Sequence, residues 1–108
     1  MSMGYRFMRL LVFFDLPTTS SQEIKRYTLF RRFLIKEGFV MMQESVYTKI
    51  LLNGTMANLM FERLKKATPK QGLVQTLLIT ERQFANMSFI SGSKKGAIED
   101  SDKRLVKY

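Results

Sequence analysis

Residues 5–14 form two interleaved rows, Tyr5, Phe7, Arg9, Leu11, Phe13 and Arg6, Met8, Leu10, Val12, Phe14, and the second half is apolar in both rows. A period of two predicts a β-strand, and apolar residues on both faces place that strand in the middle of a sheet. Asp15-Leu16-Pro17 ends it, because proline offers no N–H to a ladder and holds the preceding residue extended.

Thr18, Thr19, Ser20 and Ser21 then supply N-cap hydroxyls, and Ser20 with Glu23 has the spacing of a capping box, which predicts a helix start. Ile24, Tyr27, Phe30, Phe33 and Leu34 recur at helical spacing as its apolar stripe, and Gly38 supplies a left-handed stop. Residues 39–43 and 45–52 are rich in β-branched and aromatic side chains and predict an antiparallel pair turning at Glu44. Asn53-Gly54-Thr55 breaks the second of these strands and caps another helix, with Ala57, Met60, Phe61, Leu64 and Ala67 as its stripe and Lys65 and Lys66 near its negative end. Residues 68–72 are a turn by composition, and residues 73–80 predict the last strand of the main sheet.

The order strand, helix, strand, strand, helix, strand is an α+β pattern, the ferredoxin-like βαββαβ unit whose antiparallel sheet carries both helices on one face. That leaves the other face uncovered, and a second copy of the chain is expected to bury it. Residues 1–80 are the predicted core and residues 81–108 a C-terminal extension for dimer and partner docking. Within the extension, residues 82–90 mix polar positions with Met87, Phe89 and Ile90. Residues 91–96 read as a loop, and Leu105, Val106 and Tyr108 can make a terminal strand whose open edge invites another chain.

Composition narrows the chemistry. With 108 residues, 45% of them hydrophobic, the chain can bury the core of one domain without cross-links. It has no cysteine, which removes disulfides and thiolate metal sites, and no histidine, which removes the usual general base, zinc ligand and activator of a serine nucleophile. The apolar runs at residues 10–14 and 73–79 are too short to cross a bilayer. Residues 1–14 lack a small-residue cleavage site after an apolar core, so a cytoplasmic protein with no membrane partner is expected.

Eighteen Lys and Arg stand against nine Asp and Glu, and the last twelve residues hold three of each, so the excess of nine positive charges belongs to the body of the chain. Such an excess suits a polyanion, nucleic acid above all, since Lys and Arg that neutralise phosphates release counterions; the alternative is that it only maintains solubility. Lys25, Arg26, Arg32 and Lys36 fall largely off the apolar stripe of the first helix and by themselves read as a solvated face. Together with the charge excess they become candidate nucleic-acid contacts, as do Thr18 and Ser20 at the helix start and Arg82 in the extension. Tyr5, Phe7, Tyr27, Phe30 and Tyr47 could stack on bases, but their regular spacing favours core packing.

Among the nine acids Glu23 is a cap, Glu37 lies at a helix end, Glu62 sits in a basic helix, Glu44 and Glu81 flank strands, and Glu99, Asp100 and Asp102 belong to a polar tail. Asp15 differs. It ends an apolar strand beside a Thr/Ser-rich helix start, where N–H groups and the positive helix end attract phosphate, so a carboxylate and an anion site would adjoin. One carboxylate is thin for Mg²⁺ chemistry on a phosphodiester, and a homodimer would present two. Asp15 therefore has two readings: catalytic metal ligand, or first residue of an Asx-type turn before Pro17.

Four stretches in register, MRLLVFFDLPT at residues 8–18, FRRFL at 30–34, EGF at 37–39 and QESVY at 43–47, resemble the second core CRISPR-associated (Cas) protein of the spacer-acquisition complex. TERQF at 80–84, followed by Met87 and Gly92, is similar to its type II-A branch, although the tail after Gly92 is short. The resemblance implies a ferredoxin-like homodimer that bridges dimers of the CRISPR-associated integrase subunit and supports duplex prespacer DNA for integration. It implies partner-interface roles for Phe89, Ile90, Leu105, Val106 and Tyr108. It further implies a Mg²⁺-dependent endonuclease with Asp15 as metal ligand, in a family whose acquisition role does not require that hydrolysis, so whether the chain acts as an enzyme stays open. The alternatives are a free-standing metal-dependent ribonuclease or endonuclease of toxin-like type, and an RNA-binding module of the same fold that lacks the Gly-aromatic signature expected on its central strands.

Overall fold

A computed structural model describes residues 7–92, and the predicted terminal strand at Leu105, Val106 and Tyr108 lies outside the described residues. The elements follow the order β1 (Met8–Asp15), α1 (Ser21–Lys36), β2 (Val40–Gln43), β3 (Val46–Leu51), α2 (Gly54–Ala67), β4 (Leu73–Thr80) and α3 (Glu81–Ala85). The four strands form one antiparallel sheet in the order β2-β3-β1-β4, consistent with the ferredoxin-like arrangement. Among the described residues no helix is long and apolar enough to cross a membrane.

β1 pairs on both sides along its length, with Leu10 opposite Lys49 and Leu78, Val12 opposite Tyr47 and Thr76, and Asp15 opposite Leu73. Its pleat sorts the chain. Leu10, Val12 and Phe14 point to the helices and are buried with Tyr47, Leu51, Phe30, Leu34, Ala57, Met60 and Leu64. Phe14 meets Phe30 edge-on at 5.3 Å between ring centroids, Tyr47 at 5.6 Å and Tyr27 at 6.0 Å, so one side chain joins β1, β3 and α1. Ile24, expected on the core stripe of α1, is 49% exposed, because the helix turns its Tyr27, Phe30 and Leu34 side inward and leaves Ile24 at the rim.

The opposite row, Arg9, Leu11, Phe13 and Asp15, faces away from α1 and α2. With Val40, Ile50, Leu73 and Leu77, all roughly half exposed, it makes the uncovered apolar face that the element order predicts. Leu11 and Thr48, opposite each other, are nevertheless buried, and the Thr48 hydroxyl has no hydrogen-bond partner among the described residues. The two sheet edges differ. β2 has four residues with a register shift between Met41 and Gln43, whereas β4 has eight in regular pairing.

Local rules set the element ends. Ser20 and Glu23 form the predicted capping box, Asn53 caps α2 through its side-chain oxygen, and Gly38 takes a φ of 94°. Lys49 Nζ donates to the Glu37 carbonyl at the negative end of α1. α3 is a turn of helix that the pattern of residues 82–90 does not announce. Thr80 and Gln83 close a second capping box there, and Glu81 N–H donates to Phe7 O at 3.1 Å. Gly72, at φ 93°, passes so close to the end of β1 that a Cβ would lie 2.7 Å from the Asp15 carbonyl oxygen and 2.8 Å from Leu16 Cδ2.

Gly72→Ala should therefore lower stability by about 1–3 kcal/mol, from left-handed strain and displacement of the Asp15 backbone together, read as a drop in the midpoint of thermal or urea unfolding. A midpoint equal to that of the wild type would show that the turn does not depend on this close approach.

Candidate functional site

Asp15 is the last residue of β1, exposed, at one end of the uncovered sheet face, with its backbone held by pairing to Leu73 and by the turn at Gly72. Its carboxylate makes no hydrogen bond or ion pair to another described residue, so the Asx-type turn is not formed and both oxygens remain available. Among the described residues no group of three or more acids, histidines or cysteines could hold a metal ion. Mg²⁺ bound to nucleic acid commonly takes one or two protein carboxylates with water and phosphate oxygens completing an octahedron. A lone carboxylate thus suits an ion held largely by water and phosphate oxygens and not an all-protein cage.

The helix start beside it carries an acidic cap supplied by the chain itself. Glu23 Oε1 accepts from Thr19 N–H at 2.9 Å, Ser20 N–H at 3.0 Å and the Thr19 hydroxyl at 2.7 Å, while the Ser20 hydroxyl oxygen accepts from Glu23 N–H at 3.1 Å. A carboxylate of the chain thus takes the Thr19 and Ser20 donors just ahead of the helix. Thr18 and Ser20 therefore flank a helix start that already carries an acidic cap. The Thr19 hydroxyl, followed by the Ser20 and Thr19 amides, holds the Glu23 carboxyl below its ordinary value.

The basic candidates separate by element. Lys25, Arg32 and Lys36 are exposed at helical spacing on one side of α1, and Arg26 is half-buried beside Glu23. Arg82 lies apart from them on α3, which packs at the far end of the sheet. Phe89 is 41% and Ile90 97% exposed, while Leu105, Val106 and Tyr108 fall outside the described residues. The aromatics serve the core: Phe30 and Tyr47 are buried and Tyr27 packs against them; Tyr5 is not described.

Two arrangements escape a reading of residue types. Arg9 grips Glu81 with both Nε and Nη2, at 2.9 and 2.6 Å, and its guanidinium lies 4.1 Å from the Phe84 ring centroid, fastening α3 beneath the end of the sheet face opposite Asp15. On α1, Arg31 Nε donates to the hydroxyl of fully buried Tyr47 at 2.9 Å, a hydrogen bond that raises the guanidinium above its ordinary value. In the sequence Arg31 is simply the neighbour of Arg32. Only helical phase relative to the core could have separated them, because position 31 turns toward β3 and position 32 toward solvent.

The family model described as "CRISPR associated protein Cas2" matches residues 8–87. The chain is 46% identical to a protein of Streptococcus mutans over 99 residues, 92% of this chain and 91% of the relative. It is 43% identical to one of Treponema denticola and 40% to one of Ligilactobacillus salivarius, each over 92% of this chain and 98% of the relative. All three relatives carry the name CRISPR-associated endoribonuclease Cas2.

Because its folded-state pKa is lowered, Glu23 contributes stability that is complete above the ordinary value of 4.5 and is lost as the pH falls through the folded value. Glu23→Gln should therefore be less stable than wild type at neutral pH, and the gap in urea midpoint should close on acidification below 4.5. A gap that stays constant across that range would contradict the charged cap.

Proposed function

The chain belongs to the CRISPR-associated Cas2 family, and on that footing we propose that it serves CRISPR spacer acquisition in the cytoplasm as a homodimeric adaptor that holds duplex DNA between integrase-subunit dimers. The observation that carries this reading is the apolar sheet face on which Val40, Ile50, Leu73 and Leu77 stand half exposed, covered by neither α1 nor α2 and ending at Asp15. A second copy stacked on that face would bury it and bring a second Asp15 into the assembly. The exposed Lys25, Arg32 and Lys36, with Arg26 and Arg82, would meet phosphates, contacts that position a duplex without reading its bases. Phe89 and Ile90, followed by the rest of the C-terminal extension, would engage the integrase subunit.

The names of the relatives favour a second activity, phosphodiester cleavage. Two Asp15 carboxylates would hold Mg²⁺, and the ion would supply an activated water and offset charge on the scissile phosphate. Asp15 itself would act as metal ligand, and with no histidine in the chain the proton would pass to water or to a carboxylate. Cleavage and the adaptor role would then occupy the same dimer but use different surfaces.

Asp15→Ala separates the two. It should abolish any Mg²⁺-dependent cleavage of RNA or DNA while leaving the dimer, duplex binding and spacer acquisition in cells at wild-type levels. Acquisition lost in a variant whose dimer and integrase complex are intact would overturn the adaptor reading. Wild-type protein that cuts neither substrate with Mg²⁺ or Mn²⁺ would overturn the nuclease reading.

A further inference from the structure

The described arginines are not used alike. Arg9 is given to Glu81 and Arg63 to Glu37, each to a carboxylate at 2.6 Å. Arg31 is given to a neutral group, the Tyr47 hydroxyl, and among the described residues it forms no ion pair. The acid facing it is Glu44, on the exposed turn between β2 and β3, near enough to be felt electrostatically but not bonded to it. Tyr27, the other polar neighbour, sits one helical turn earlier, and burial raises its hydroxyl above the ordinary value.

This leaves a half-buried guanidinium without an ion pair among the described residues, whose orientation is nonetheless set by a hydrogen bond. Tyr47 has no exposed surface and its ring packs on Phe14, so the hydroxyl it presents to Nε is immobile. Fixing Nε fixes the whole planar group, and the Nη edge keeps its donors in the fork geometry that fits two oxygens of a phosphate. A lysine on the open face of α1 must give up rotamer freedom to hold a phosphate, whereas Arg31 has already given it up in folding.

We propose that Arg31 is the preorganised phosphate clamp of this protein, binding a backbone phosphate of duplex DNA with its Nη edge while the Tyr47 hydroxyl holds the guanidinium in place. The assignment rests on the duplex-binding reading above and names the side chain that fixes the duplex most firmly. Tyr47 is a positioning residue and touches no DNA. Lys25, Arg32 and Lys36 then add diffuse attraction around one rigid contact.

The test is duplex binding over a salt series for purified full-length wild type, Arg31→Ala, Arg31→Lys and Tyr47→Phe, each first confirmed folded by circular dichroism and thermal melting. Arg31→Ala should weaken binding about tenfold or more and reduce the slope of log K against log salt by about one for each Arg31 that touches the duplex. Arg31→Lys and Tyr47→Phe keep the charge, so both should keep the slope and lose affinity, because the fork or its tether is gone. Folded Arg31→Ala with wild-type affinity and slope would overturn the clamp and leave Arg31 only as the partner of a buried hydroxyl. Wild-type protein that binds no duplex would overturn the DNA reading and the clamp with it, an outcome distinct from the loss of Arg31 alone.

Discussion

Phe14 is where the fold is tied together. Its ring touches Tyr27 and Phe30 on α1 and Tyr47 on β3 while its backbone pairs with Val74 and donates to the Ser45 carbonyl. Aromatic contacts of this kind contribute about 0.5–1.5 kcal/mol each beyond the burial of their area. The consequence for function is positional. The residue after Phe14 must point to the opposite face, so the packing that seats Phe14 in the core also sets Asp15 out at the end of the uncovered face. The ring that packs on Phe14 also carries the hydroxyl that orients Arg31.

Charge in this molecule is placed more selectively than its total suggests. The N-terminus of α1 is satisfied by Glu23 and its C-terminus by Lys49, so the helix dipole is compensated at both ends by the chain itself. Arg9 and Arg63 are consumed as fasteners between elements. Among the described residues, the outer side of α1, the lysines of α2, Arg82 and the half-buried Arg31 are not used as fasteners of this kind. The pair between Lys65 and Glu62 is exposed on both sides and is worth little either way.

Element order, both long helices, the sheet and most of the core were legible, because period-two and period-3.6 patterns coincide with caps at Ser20 and Asn53 and stops at Asp15 and Gly38. α3 was not, since five residues are too few to show a period and its anchor, Arg9 with Glu81 and Phe84, spans 72 positions of sequence. The core role of Ile24 was overread for a related reason, as a helical stripe fixes its direction only to within about one residue until its partner is known. At the site, Asp15 was recognisable from the place where an apolar strand stops. The filled helix start was half visible: the capping box was read, but not that its glutamate would also take the Thr19 and Ser20 donors. Arg31 could not be told from Arg32 without knowing which of the two meets β3.

The unequal edges of the sheet bear on how far association can proceed. A strand edge adhesive on both sides would let copies add end to end without limit, the geometry of a fibre. Here the β2 edge is short and its register shifts between Met41 and Gln43, and among the described residues β4 is the edge that offers eight residues in regular register, Leu73 and Leu77 among them. A molecule with one receptive edge can accept a strand but cannot pass the favour on. Growth by pairing of β4 edges would therefore close at two copies instead of continuing.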